Sequence, residues 1–137
     1  MLGLLDRFRK GKKEKLMVVE QPKIVTELER LCGGDKETFE ALVHTMFLDP
    51  RKVKASMKEA VENAKKFEKA KDTLRARMWY EIAGGLAIYE GDAKKVQEFF
   101  GEAEKISPEM KYTILKNSEK AVAKAQEYYK QHLEPNA

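Results

Sequence analysis

A chain of 137 residues with 42% hydrophobic residues is long enough to bury a core without metal or disulfide staples, and too apolar to be a disordered polymer. Charged residues reach 36%, and no apolar run approaches the roughly 18–20 residues that cross a bilayer as a helix. The single cysteine, Cys32, has no internal partner for a disulfide, so a reducing cytosol is the expected setting.

The net charge of +4 is unevenly placed. Residues 1–15 carry six basic and two acidic side chains, and the remaining residues carry 21 of each. Within that neutral remainder, residues 51–77 hold ten basic and four acidic residues, whereas 79–109 hold three basic and seven acidic. A basic stretch followed by an acidic one reads first as a solvated, self-complementary surface.

In chain order, the first element is a short amphipathic stretch over residues 1–10. At helical spacing Met1, Leu4, Leu5 and Phe8 share one face, with Asp6, Arg7 and Lys10 opposite. Gly11 and a lysine-rich run end it, so residues 1–21 read as a basic segment and linker ahead of a helical domain over 22–137. The next helix starts near Pro22, carries Ile24, Leu28 and Leu31, and stops at Gly33-Gly34. Asp35 caps a third helix with Phe39, Leu42, Val43, Met46 and Phe47. Asp49-Pro50 repeats the signal and is expected to open a long helix through Val53, Met57, Val61 and Phe67. A break at Asp72 is expected, because an unbroken helix to Gly91 would run far beyond the usual ~11–12 residues. Trp79, Ile82, Leu86 and Tyr89 mark the helix after it, and Asp92 caps one carrying Val96, Phe99, Phe100 and Ala103. Ser107-Pro108 is expected to begin the last helix, whose stripe runs from Met110 to Tyr129. Nothing alternates with period two, so the fold class is all-α.

A shift of 43 residues lays Asp49, Lys52, Val53, Met57, Glu59 and Ala60 on Asp92, Lys95, Val96, Phe100, Glu102 and Ala103. Both copies read helix, Asp-turn, helix, which favours stacked antiparallel hairpins over an up-down bundle. The run Trp79, Tyr80, Gly84, Tyr89, Gly91-Asp92, Phe100, Ala103 and Pro108 resembles a tetratricopeptide repeat. In that family, small residues at the places of Gly84 and Ala103 let paired helices approach closely. Trp79 stands one residue early, and Val96 occupies a place where the family prefers alanine. The resemblance implies about two repeats plus a C-terminal capping helix over 109–131. It also implies a protein or peptide bound in a groove lined by Met78, Glu81, Gly85, Ile88 and Tyr89. Glu81 and Gly85 do not suit a clamp for a peptide's terminal carboxylate.

Catalytic signals are weak. His44 and His132 stand far apart, Cys32 has no base beside it, and the pairs Gly33-Gly34 and Gly84-Gly85 belong to no phosphate-binding loop. Glu98 and Glu102 share a helix face without a histidine to complete a metal set. No catalytic, cofactor-binding or metal-binding residues are expected, and an enzyme is not.

The N-terminal segment supplies the second lead. Leu4, Leu5 and Phe8 opposite Arg7, Arg9 and Lys10, followed by Lys12 and Lys13, suit the interface of an anionic membrane, or alternatively a site on the protein itself. A basic surface formed by Lys65, Lys66, Lys69, Lys71, Arg75 and Arg77 offers an alternative reading as an RNA- or ribosome-associated protein. The expectation is a cytoplasmic adaptor that binds a protein or peptide and is tethered peripherally to membranes. Nucleic acid ranks behind these partners, and self-association is plausible because stacked hairpins leave open ends.

Overall fold

The computed structural model describes residues 21–46 and 49–133. Among them are six α-helices, two short 3-10 turns and no strand. Helix α1 spans Gln21–Cys32 and ends at Gly33, whose φ of 63° lies in the left-handed region that glycine tolerates. Asp35 then caps α2, Lys36–Val43, accepting from the Thr38 backbone N–H at 3.1 Å and the Thr38 hydroxyl at 2.8 Å.

Asp49 caps a different element from the one the sequence suggests. It accepts from the Arg51 backbone N–H at 3.0 Å and from the Arg51 guanidinium at 3.1 and 3.2 Å. The result is a 3-10 turn, Pro50–Lys52, rather than the start of a long helix. Helix α3, Met57–Lys69, starts at Ser56 instead, through a reciprocal capping box with Glu59. That box satisfies two N-terminal donors at once, which Asp49 does not offer. The break at Asp72 is real: α4, Thr73–Glu90, begins there with Asp72 accepting from the Arg75 backbone N–H at 3.2 Å. Helix α4 ends at Gly91, and Asp92 opens α5, Ala93–Ile106.

The last helix also departs from expectation. Ser107 to Asn117 forms an irregular segment with a 3-10 turn at Thr113–Lys116, and α6 covers Ser118–His132. Tyr112 and Ile114 are both buried, and an extended segment can send both inward where one helical face would not. Bonds to α4 and α5 hold it: the Tyr112 hydroxyl donates to Glu81 at 2.5 Å, the Tyr112 backbone N–H donates to Glu104 at 3.4 Å, and the Gln97 side chain donates to the Leu115 carbonyl at 2.8 Å.

Helix α1 packs on α2, and α4 is flanked by α3 and α5. Alanines 60, 64, 76, 83, 87 and 103 are fully buried across these contacts, so the helix axes approach closely. Gly84 is the tightest point: a methyl built there would meet the Phe100 ring, with Cδ2 at 2.7 Å. Helix α6 contacts α4 and α5 and also α1 and α2, joining the early helices to the later ones. Its Gln126 side chain donates to two carbonyls in the last turn of α4, that of Ile88 at 2.7 Å, which also accepts from the Gly91 N–H at 3.0 Å, and that of Tyr89 at 2.9 Å. Toward the other end, Lys120 reaches Asp35 at 2.8 Å, and Asn117 donates to the Thr38 hydroxyl at 3.3 Å. No helix among the described residues is long and apolar enough to cross a membrane.

Candidate functional site

Helices α3 and α5 flank α4 and leave a cleft between them. Its floor is Val61, Phe99 and the buried Tyr80, joined at one end by Met57. Two lobes of about 500 and 710 Å³ share Val61, Lys65, Glu98 and Phe99. One extends to Glu68, Lys69, Tyr80 and Glu102. The other reaches Ser56, Lys58, Glu62, Glu90 and Lys95.

The walls differ in charge through the side chains that line the cleft, since α3 and α5 are each nearly balanced along their whole length. Helix α3 contributes Lys58, Lys65 and Lys69, with Glu62 and Glu68 among them; α5 contributes Glu98 and Glu102, with Lys95 at one end. Glu102 pairs along its own helix with Lys105 at 3.2 Å. Among the described residues no ion pair joins Lys65 or Lys69 to Glu98 or Glu102. On the floor, the Tyr80 hydroxyl donates to Glu68 at 3.1 Å. Burial, and then that carboxylate, push the phenol up to about 12. An apolar floor between oppositely charged rims suits binding. Among the described residues no group of three or more His, Cys, Asp or Glu side chains could hold a metal ion.

The groove implied by the family resemblance is largely filled. Ile88 is fully buried. Tyr89 packs edge-on against Tyr129, with centroids 5.0 Å apart. Gly85 lines a very small cavity with Thr45, Met46, Pro50, Val53, Ile82, Leu86 and Tyr129. Glu81 accepts from Tyr112 and lies 3.8 Å from the Arg77 guanidinium. Met78 alone of the five is exposed, at 46%, one turn from Leu74 at 56%.

The basic surface is brought together in part. Lys65, Lys66, Lys69, Lys71 and Arg75 are exposed along the end of α3 and the start of α4. Arg75 lies over the Phe67 ring at 5.7 Å and pairs with Asp72. Arg77 instead turns toward Glu81 and Glu109. The N-terminal candidates Leu4, Leu5, Arg7, Phe8, Arg9, Lys10, Lys12 and Lys13 lie outside the described residues.

Sequence reasoning missed the cleft itself. Glu98 and Glu102 read as a solvated carboxylate pair, and Val61 and Phe99 as ordinary core. The switch from basic to acidic between residues 51–77 and 79–109 did not locate it, because residues 57–69 hold four basic and three acidic side chains and residues 93–106 hold three of each. Comparisons with protein-family models, curated proteins and solved structures find no match.

Proposed function

We propose that this chain is a non-catalytic, tetratricopeptide-like interaction module that holds an amphipathic segment of a partner protein in the cleft between α3 and α5. The observation that carries the reading is the apolar Val61–Phe99–Tyr80 floor lying between a mainly basic and a mainly acidic wall. A matching segment presents two or three apolar anchors, with acidic residues toward α3 and basic residues toward α5. Anchors of that kind contribute about 1.5–3 kcal/mol each. Ordering the segment offsets part of this, which leaves an affinity in roughly the micromolar range.

The basic N-terminal segment extends the reading to a peripheral tether on anionic membranes in the cytoplasm. Flotation with anionic vesicles tests it. The intact chain is expected to float at low salt and to lose this when residues 2–15 are removed or the salt is raised. Nucleic acid fits less well, because Lys65 and Lys69 share the cleft with Glu68, Glu98 and Glu102, and Arg77 is paired internally.

The test of the binding reading is a selection from a library of amphipathic peptides against the native chain and a Lys65→Glu/Glu98→Lys double variant. Both substituted residues are exposed, so the floor stays intact. The charges flanking the apolar stripe of the enriched peptides are expected to invert between the two baits. Enrichment of the same peptides by both would contradict recognition through this cleft.

A further inference from the structure

One stripe of α4 has two fates. Ile82, Gly85 and Leu86 border a very small cavity with Thr45, Met46, Pro50 and Val53, and Tyr89 packs on Tyr129 of α6. Toward the start of α4, Leu74 and Met78 continue the same side of the helix and are its exposed large apolar residues, at 56% and 46%.

The run of the helices explains why the cover stops. Advancing along α6 from Gln126 to Tyr129 moves backward along α4, from the carbonyls of Ile88 and Tyr89 to the level of Ile82, Gly85 and Leu86. Helix α6 ends at His132, about 5 Å beyond Tyr129 at 1.5 Å per residue. Met78 lies four residues before Ile82, about 6 Å further along α4. The ridge therefore protrudes past the end of α6.

Helix α1 runs antiparallel to α6, since Glu27 faces His132 at 3.4 Å and Arg30 reaches Gln131 at 3.3 Å. Its first residue, Gln21, stands about 9 Å beyond the Glu27 level. The chain thus enters α1 at the end of the bundle where the ridge is bare.

We infer that the apolar face of residues 1–10 docks in cis on the Leu74–Met78 ridge when no membrane is present. The inference rests on the amphipathic reading of that segment given above. Leu4, Leu5 and Phe8 supply the matching face, and residues 11–20 span up to about 33–36 Å when extended, enough to reach. Glu109 pairs with Arg77 at 4.0 Å yet stays 71% exposed, so its carboxylate has oxygen sites left for the segment's basic residues. A second copy is a poor occupant, because two side chains fall far short of the ~800 Å² per partner that a stable interface buries. The same face would insert in a bilayer, so the ridge and the membrane compete for it.

Peroxide oxidation of Met78, followed by peptide mass spectrometry, tests this on the full chain and on one lacking residues 2–10. Short linkers give effective concentrations near millimolar, so a segment that binds the ridge with a Kd of about 0.5 mM makes oxidation of Met78 about threefold slower in the full chain. This protection should not change on hundredfold dilution. Equal rates in the two chains would overturn the inference, as would protection that disappears on dilution, which marks a second copy. Flotation scores the tether separately. Protection without flotation leaves docking standing and removes the tether, whereas flotation with equal oxidation rates does the reverse.

Discussion

Adjacent glycines in α4 stand in opposite surroundings. A methyl at Gly84 runs into the Phe100 ring, whereas one at Gly85 meets nothing within 4 Å. In open space alanine gains about 1 kcal/mol over glycine inside a helix. Against a buried ring, overpacking costs roughly 1–3 kcal/mol and outweighs that gain. Gly85→Ala is therefore expected to raise the urea midpoint and Gly84→Ala to lower it; a rise in both would show that Phe100 yields freely.

The tyrosines give a second residue-scale test. Tyr80, Tyr112, Tyr128 and Tyr129 are all raised above the ordinary value of 10.0, by burial first, with nearby carboxylates adding to it. A raised phenol keeps its proton in the folded chain where the unfolded chain releases it. Its contribution is complete below pH 10 and, for Tyr80, is lost as pH rises through about 12. Phenolate absorbance is expected to lag behind that of a urea-unfolded sample near pH 10–11, then rise together with unfolding. Parallel curves would mean that these hydroxyls face water.

At the scale of elements, caps decide the boundaries. Loss of the Ser56 hydroxyl is expected to cost about 1 kcal/mol, measured as a shift in denaturation midpoint for Ser56→Ala. No loss would place the start of α3 elsewhere. Asp35 joins α2 to α6. Its bond with Lys120, then those with the Thr38 backbone and hydroxyl, hold its carboxyl at about 2 rather than 3.8. That contribution is present above about pH 4 and lost as pH falls toward 2. Acid unfolding curves of Asp35→Asn are expected to be flatter across that window, and an unchanged slope would contradict the pairing.

These elements also show what the sequence made legible. Asp35, Asp72 and Asp92 each announced a helix start because their caps are local, reaching only three residues ahead. Ser56 was overlooked beside the louder Asp49-Pro50. The Ser107–Asn117 segment was misread because its shape depends on Glu81, 31 residues from Tyr112. The cleft was not legible along the chain, since its walls come from helices separated by α4 and neither helix carries much net charge.

For the whole molecule, the defining feature is α6, whose Ala121, Val122, Ala125, Tyr128 and Tyr129 are buried and which touches both the first and the last pairs of helices. Such a closure makes the bundle one cooperative unit, unlike an open array whose ends unfold first. Fluorescence of the sole tryptophan, Trp79, and far-UV circular dichroism are expected to trace the same urea transition. Separate transitions would show that α1 and α2 come away independently.

The central claim is that the α3–α5 cleft receives a partner's amphipathic segment. The most direct measurement is a backbone-amide NMR titration of the full chain with a helical peptide bearing an apolar stripe, acidic on one flank and basic on the other. The largest shifts are expected at Val61, Lys65, Tyr80, Glu98 and Phe99, saturating in the micromolar range and abolished when the peptide's apolar stripe is replaced by serine. Shifts confined to the Leu74–Met78 end of the bundle, or none at all, would contradict the claim.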